Sequence, residues 1–356
     1  MTSAIKPRFS RLALASALSV AALLSAALAA PAVEKSVKLP VSGVYQIVFN
    51  PQDGDLYVAV IGKRGENQAA ILRLDAQTLD VVDTIKVGEA PVFGLGFSAN
   101  AQTLFGSATT AGAVTVIPLA TKDPTPVKRP DGASAHLREV AVDDAANISY
   151  TTAYSSGDEP SDIWVVDGAK QALDRIISVD APGASGLALD KKANRLFVAS
   201  RPKNEIVIVD LSTDKTVLRF PSQGENPINL AYDAAGGRLF VVHQKPGGLA
   251  VLDAQSGALI KAIETGDNAL GVLFDPKLNR VYVANRGAGT VTVIDGESYA
   301  VIADLKTGTF PQTLALDPET GAVYVTNKAQ GLPRNAPAGA VAPEDPNGDT
   351  VTIIRP

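Results

Sequence analysis

The residues of this sequence best suited to chemistry are cations and aromatic rings, and several cations recur at a regular spacing. Arg286 and Lys328 lie 42 residues apart, and Arg201 precedes Arg286 by close to twice that distance. Guanidinium and ammonium groups bind phosphate or carboxylate, and aromatic rings stack on nucleobases. The spacing therefore indicates a repeated scaffold that presents its cations to one anionic ligand.

An internal repeat accounts for this spacing. Seven segments place an aromatic residue before small or β-branched residues, at intervals of 42 to 48 residues. Each unit also holds four short apolar runs separated by turn signals of Asp, Gly and Pro. A period of this length built from short strands is typical of a propeller blade. The sequence therefore predicts an all-β fold, a seven-bladed β-propeller with four antiparallel strands per blade; a row of separate β-sandwich domains is the alternative.

The ends of the chain predict how the ring closes. The seventh unit supplies only three strands, whereas residues 35–39 form a strand that precedes the first inner strand. We therefore predict that this N-terminal strand closes the last blade, which removes the sheet edges that an open ring would leave. A single propeller domain then covers residues 30–356. Residues 329–349, with four prolines and three glycines, form a loop insertion in the last blade.

Residues 1–29 have the features of a secretory signal peptide. Basic residues precede an apolar run at 12–28, and small residues at Ala27 and Ala29 mark a cleavage site. The run is short of the roughly 20 residues that a membrane-spanning helix needs, so an uncleaved anchor is the less favoured alternative. Cleavage after Ala29 predicts a periplasmic protein that is not embedded in the membrane.

Charge and cysteine content limit the classes of function. Loss of the leader removes three of the 32 basic residues and none of the 37 acidic ones, so the mature chain carries a net charge of −8. This balance argues against a surface that is basic throughout, but it is compatible with a local basic patch. The sequence has no cysteine, so an exported form has no disulfide and depends on its core for stability.

Strand direction places two sets of repeat positions at one mouth of the central channel. The first set stands at the start of the inner strands and comprises Tyr45, Phe93, Arg138, Ser185, Ile228, Leu270 and Gln312. The second set ends the second strands and comprises Ile61, Thr109, Tyr154, Arg201, Gln244, Arg286 and Lys328. From these sets and their neighbours we predict a ligand or nucleic-acid site made of Tyr45, Phe93, Arg138, Glu139, Tyr154, Arg201, His243, Arg286 and Lys328. Ordinary solvated surface charge is the alternative.

Glu139 departs from its repeat position. The equivalent residues are Gln46, Gly94, Glu139, Gly186, Asn229, Gly271 and Thr313, among which glycine is the commonest. Blade packing therefore does not demand a carboxylate there, which favours a functional interpretation of Glu139 and its neighbour Arg138. The alternative is that one of the two forms an ion pair between blades, because adjacent strand residues point to opposite faces.

Several motifs resemble the YVTN-repeat β-propeller family. Residues 281–285 read VYVAN, residues 323–327 read VYVTN, and residues 291–295 read VTVID. More specifically, Arg138 and Glu139, residues 143–145 (DDA) and residues 163–168 (IWVVDG) of the third unit resemble a narrower group of exported proteins within this family, and that resemblance extends over essentially the whole mature chain. It implies a periplasmic propeller without established catalytic activity, to which binding of single-stranded DNA is attributed. It also implies that the family's mouth residues are matched here by Tyr45, Phe93, Arg138, Arg286 and Lys328.

These observations favour a monomeric, non-catalytic binding or scaffold protein whose partner is single-stranded DNA or a small anionic ligand. We expect no cofactor and no metal, since His136 and His243 fall in different units without a carboxylate cluster. One alternative is a lactonase-type hydrolase that uses His136, Arg138 and Glu139, by analogy with other propellers. Another is a platform for a protein partner in the cell envelope.

Overall fold

The computed structural model describes residues 1–2, 30–63, 66–332, 340 and 342–356. The predicted signal peptide, except for its first two residues, lies outside the described residues, and so does most of the middle of the predicted insertion. Within the described part the secondary structure consists of strands, and no helix there is long and apolar enough to cross a membrane.

Seven four-stranded antiparallel sheets form the blades of a ring, which confirms the predicted fold. Blade one comprises β2 (Val44–Asn50), β3 (Asp55–Val60), β4 (Ala70–Asp75) and β5 (Val81–Lys86). Blade two comprises β6 (Gly94–Ser98), β7 (Thr103–Ala108), β8 (Ala113–Pro118) and β9 (Thr125–Val127). Blade three comprises β10 (His136–Asp143), β11 (Ile148–Tyr154), β12 (Ser161–Asp167) and β13 (Ala172–Val179).

The remaining blades follow the same order from the inner to the outer strand. Blade four comprises β14 (Ala184–Asp190), β15 (Arg195–Ser200), β16 (Glu205–Asp210) and β17 (Lys215–Pro221). Blade five comprises β18 (Glu225–Asp233), β19 (Arg238–Lys245), β20 (Gly248–Asp253) and β21 (Leu259–Glu264). Blade six comprises β22 (Ala269–Asp275), β23 (Arg280–Asn285), β24 (Thr290–Asp295) and β25 (Val301–Lys306).

Blade seven is built from both ends of the chain. Its inner strands are β26 (Pro311–Leu316), β27 (Val323–Asn327) and β28 (Thr350–Arg355), and its outer strand is β1 (Ala32–Lys38). Val37 of β1 pairs with Val351 of β28 in an antiparallel register. The prediction of closure by the N-terminal strand is confirmed, although the strand begins three residues earlier than expected.

One carboxylate holds the closed joint together. Asp349, which directly precedes β28, accepts hydrogen bonds at its Oδ1 from the backbone amides of Gly43 and Val44, at 3.0 and 3.2 Å. The same oxygen accepts a hydrogen bond from the amide of Ala329 at 3.2 Å. Asp349 therefore ties the start of blade one to both sides of the loop between β27 and β28.

The core lies between neighbouring blades, so the central strands are apolar on both faces. Trp164 of β12 is fully buried in a cluster with Phe105 of blade two. Tyr324 of blade seven packs in one cluster with Leu56 and Leu72 of blade one across the closed joint. Burial of apolar area at about 25 cal/mol per Å² makes these interfaces the main source of stability.

Glycine on alternate inner strands lets the blades approach each other at the channel. A Cβ added to Gly94 would lie 2.3 Å from the carbonyl oxygen of Arg138 in the next blade. A Cβ on Gly186 would lie 2.6 Å from the Cα of Asn229, and one on Gly271 would lie 2.4 Å from the carbonyl oxygen of Gln312. These distances are too short for any side chain, so the glycines are required by backbone packing.

Substitution of Gly271 by alanine should therefore destabilise the ring. Because the obstructing atom is a backbone oxygen, the strands must separate, and we expect Gly271→Ala to lower the free energy of unfolding by about 1–3 kcal/mol. Urea denaturation followed by circular dichroism measures this change. The control is Gly331→Ala, whose added Cβ would meet nothing within 4 Å, and which should change stability by less than about 0.5 kcal/mol. Equal stability of the two variants would contradict the packing requirement.

Candidate functional site

The starts of the inner strands and the ends of the second strands meet at one mouth of the channel. They surround a cavity of about 440 Å³ to which all seven blades contribute. Four of the predicted site residues, Tyr45, Phe93, Arg138 and Glu139, line this cavity directly. Its volume is in the range of small-molecule pockets, which is about 300–1,000 Å³.

Cations at the mouth lie against aromatic rings. The charged groups and ring centroids form three pairs, with Lys328 over Tyr45 at 4.0 Å, Arg286 over Phe310 at 4.5 Å and Arg138 over Tyr154 at 5.6 Å. The Lys328 ammonium also donates a hydrogen bond to the Tyr45 hydroxyl. Such pairs contribute about 0.5–1 kcal/mol at exposed sites and fix the direction of the side chains.

The rings form two groups around the opening. Tyr45 and Phe93 contact each other edge to face, with centroids 4.9 Å apart and planes at 78°. The His136 ring lies 5.9 Å from that of Tyr154. Aromatic rings of blades one, two and three therefore lie next to the cations.

These cations lack acidic partners within the described part of the chain. No carboxylate there forms a salt bridge with Arg138, Arg201, Arg286 or Lys328, whereas arginines away from the mouth, such as Arg129 and Arg219, are paired with aspartates. Burial lowers the pKa of Arg138, and the nearby charge of Arg201 lowers it further. Burial also lowers the pKa of Arg286. The mouth therefore concentrates positive charge in an acidic protein.

Glu139 lines the cavity one residue further along β10 than Arg138, and so lies deeper in the channel. Its Oε1 accepts a hydrogen bond of 2.8 Å from Gln46 Nε2 of blade one. Its backbone amide donates to Thr152 Oγ1 at 3.2 Å, which fixes the strand in place. Burial raises the pKa of the Glu139 carboxyl, while the contacts with Gln46, Arg138 and Asn229 act in the opposite direction.

Arg201 lies between this cavity and a second one. The second cavity, of about 430 Å³, is lined by Arg201, Asn226, Gln244, Lys245, Asp267 and Asn268. The Nε of Arg201 is sealed from solvent and has no hydrogen-bond partner in the described part. The charge of Arg201 lowers the pKa of Arg138, so the two guanidinium groups lie near each other. The cationic surface therefore continues from Arg138 on blade three to Lys245 on blade five, which lines the second cavity.

The structure does not bring His243 to the mouth. Its side chain is 4% exposed, and the ring packs against Gly224, where an added Cβ would lie 2.5 Å from it. Burial lowers the pKa of His243 to about 4. The neighbouring residue Gln244 points outward to the second cavity, because successive strand residues face opposite sides.

No cluster of three or more His, Cys, Asp or Glu side chains suited to a metal ion occurs among the described residues. The oxygen atoms at the bottom of the cavity come from one carboxylate and several amides and hydroxyls.

The chain is similar in sequence to known proteins. No protein-family model matches the chain. Two proteins called uncharacterized protein YncE match it, from Salmonella typhi at 31% identity over 237 residues and from Escherichia coli K12 at 30% over 238 residues. The chain is a seven-bladed β-propeller that is similar in sequence to these YncE proteins. The matched segment covers 62% of this chain and 65% of the length of each relative, so it spans a little under two thirds of them.

A solved structure supports the fold of this chain. Kuenenia stuttgartiensis hydrazine synthase superposes with a TM-score of 0.68, covering 82% of this chain and 94% of the other. The sequence identity is 16%. The likeness therefore concerns the fold alone.

Sequence reasoning missed three residues of the site. Phe310 supports Arg286, yet it lies outside the strands with a φ of 45°. Gln46 and Asn229 contact Glu139 from blades one and five. The sequence pattern that could have revealed Gln46 and Asn229 is the alternation of polar residues with glycine at the repeat position of Glu139. Such alternation indicates that long side chains from every second blade can meet at the channel.

His243 should make the stability of the protein sensitive to acid. Its folded pKa of about 4 lies below the unfolded value, so the unfolded state binds the extra proton between pH 6.5 and 4. The free energy of unfolding should fall over this range by up to about 3 kcal/mol. Chemical denaturation at several pH values should show that His243→Gln removes most of this fall. The control His136→Gln should keep it, and an unchanged pH profile in His243→Gln would contradict the assignment.

Proposed function

We propose that the channel mouth binds an anionic ligand that carries flat rings, and that short single-stranded DNA is the favoured ligand. The observation that supports this proposal is a set of four cations that form no salt bridge within the described residues. Arg138 lines the main cavity, Arg201 lines the second one, and Arg286 and Lys328 lie over aromatic rings at the mouth. A group of like charges without counter-ions is stabilised by an anion. Phosphate groups are suitable, because each can accept several charge-assisted hydrogen bonds.

The rings favour a nucleic acid over a simple inorganic anion. Tyr45, Phe93 and Tyr154 stand among the cations, at spacings suited to a ligand that alternates charge with flat surfaces. Stacking of a base on an aromatic side chain contributes about 1–3 kcal/mol and tolerates any base. Sequence-specific recognition of a duplex is not expected, since the described part of the chain offers no helix for a groove.

The second cavity offers a place for a ligand to extend beyond the channel mouth. Arg201 and Lys245 line it together with three amide side chains and one carboxylate, Asp267. A chain with one unit in the channel mouth could place a further phosphate beside these residues. The site therefore suits an oligomer better than a single nucleotide.

We favour binding without catalysis. The residues of the alternative lactonase-type reaction, His136, Arg138 and Glu139, do line the same cavity. A general base must lie within hydrogen-bond reach of the proton it removes, and it is commonly oriented by a third group. Among the described residues, His136 contacts the Tyr154 ring and has no carboxylate that orients it, while Glu139 is engaged by Gln46.

We place this activity in the periplasm. The basic start, the apolar run and the small residues before Ala30 are typical of an export signal. The absence of cysteine suits an oxidising compartment, because no thiol is available for unwanted pairing. A protein partner in the cell envelope is the other candidate for this mouth.

Removal of a mouth arginine should weaken binding and reduce its salt dependence. We expect Arg138→Ala and Arg286→Ala each to lower the affinity for oligothymidylate about tenfold, because each removes a charged hydrogen-bond donor. The slope of log K against log salt should become less negative by about 0.7 for each lost phosphate contact. Fluorescence-anisotropy titration at several salt concentrations measures both quantities.

The matched control is Arg219→Ala, which removes an arginine of the outer strand β17 that is paired with Asp180. It should leave affinity and salt slope unchanged. Binding that is insensitive to salt, or equal losses in all three variants, would contradict an anion site at the mouth. Capture of an envelope protein with no oligonucleotide binding would favour the alternative.

The rings should contribute independently of charge. Phe93→Ala should weaken oligothymidylate binding by about 1–3 kcal/mol, because a stacking surface is lost. The salt slope should stay at the wild-type value, since no cation is removed. Anisotropy titration of Phe93→Ala beside Phe93→Tyr checks this, and Phe93→Tyr should retain most of the affinity. A loss of the same size in both variants would argue against stacking on this ring.

A further inference from the structure

The bottom of the cavity has a different character from its rim. Gln46, Glu139 and Asn229 reach it from blades one, three and five, and the intervening blades carry Gly94 and Gly186. The glycines leave the space in which the three longer side chains approach each other. The result is a polar floor with a carboxylate at its centre, beneath a rim of cations.

Glu139 has unused acceptor capacity. An ionised carboxylate offers about four acceptor positions. Gln46 donates to Oε1 at 2.8 Å, and the Asn229 side chain and the Val140 backbone amide also act as donors, which leaves acceptor capacity on the carboxylate. Burial raises the pKa of this carboxyl more than those contacts lower it, so further donors would offset its desolvation. A ligand with N–H groups at its inner end would supply them.

A purely anionic ligand would be repelled by this floor. The cations attract an anion, and the Glu139 carboxylate, one residue deeper than Arg138, disfavours one. Both features suit a ligand that is anionic at one end and carries hydrogen-bond donors at the other. A nucleotide has this form when its phosphate stays at the rim and its base points into the channel.

The four bases differ in what they offer a carboxylate. Guanine presents two adjacent donors, N1–H and the N2 amino group, which match the two oxygens of one carboxylate. Cytosine and adenine present an amino group beside a ring nitrogen that accepts. Thymine presents one N–H between two carbonyl oxygens, which a carboxylate repels.

We propose that Glu139 reads the base at the bottom of the channel and selects guanine over thymine. The inference rests on the proposed function, and it adds a base preference to a site that stacking and phosphate contacts alone would leave indifferent to sequence. Gln46 and Asn229 hold the carboxylate in the direction of the cavity, and each can also hydrogen-bond the remaining edge of the base.

The test compares two short oligothymidylates, one of which carries a single central guanine, in anisotropy titrations of the purified protein. We expect the guanine oligonucleotide to bind wild-type protein at least about fivefold more tightly, as a bidentate contact to a base discriminates by this much or more. Glu139→Gln should lose this preference and bind the two oligonucleotides with equal affinity. The matched control Glu205→Gln, an acid on β16 outside the cavity, should keep the preference.

The outcomes separate this inference from the function on which it rests. If both oligonucleotides bind equally to wild type and Glu139→Gln strengthens both alike, Glu139 is only a repulsive charge and the base-reading role is overturned, while the proposed function stands. If neither oligonucleotide binds, the proposed function fails and the inference fails with it. Thermal denaturation of Glu139→Gln confirms that any loss is not a loss of folding.

Discussion

Seven inner strands must meet around one axis, and the distance between them decides which side chains the channel can hold. Where the backbone of one blade approaches the next within reach of a Cβ, only glycine fits, as at Gly94, Gly186 and Gly271. Larger residues then stand on alternate blades. Because seven is odd, two neighbouring blades must both lack glycine, and there the small Thr313 lies beside Gln46, with its hydroxyl 3.4 Å from the Tyr45 carbonyl.

This spacing produces a closed floor and an open rim. The longer side chains of blades one and five converge on Glu139 of blade three. The residue that precedes each of the three on its strand also lines the cavity, on the side of the mouth. In the described part of the chain, Arg138, Arg286 and Lys328 lie over rings and form no salt bridge, whereas Arg175 and Arg219 on the outer strands are paired with aspartates. The separation explains how an acidic chain can present a cationic opening.

The period of the repeat was sufficient to predict the fold, the number of blades and the closure, because a fixed spacing of short strands has few other structural solutions. Strand ends were less certain. The N-terminal strand starts at Ala32 and contains a register shift between Val33 and Lys35, which no pattern of alternation reveals. His243 was selected for its neighbours in sequence, but strand alternation turns it into the core while Gln244 faces outward.

The sequence by itself determined which blades carry cations, rings and glycines at the mouth, because equivalent positions of a repeat occupy equivalent places in the ring. Tertiary structure alone decided which of these residues touch. Gln46 and Glu139 are 93 residues apart and meet across a whole blade, and Phe310 comes under Arg286 from a loop with no strand pattern. The spacing of the repeat determines the position of a residue on its blade, whereas the closed ring determines the distance between blades and therefore which side chains can touch.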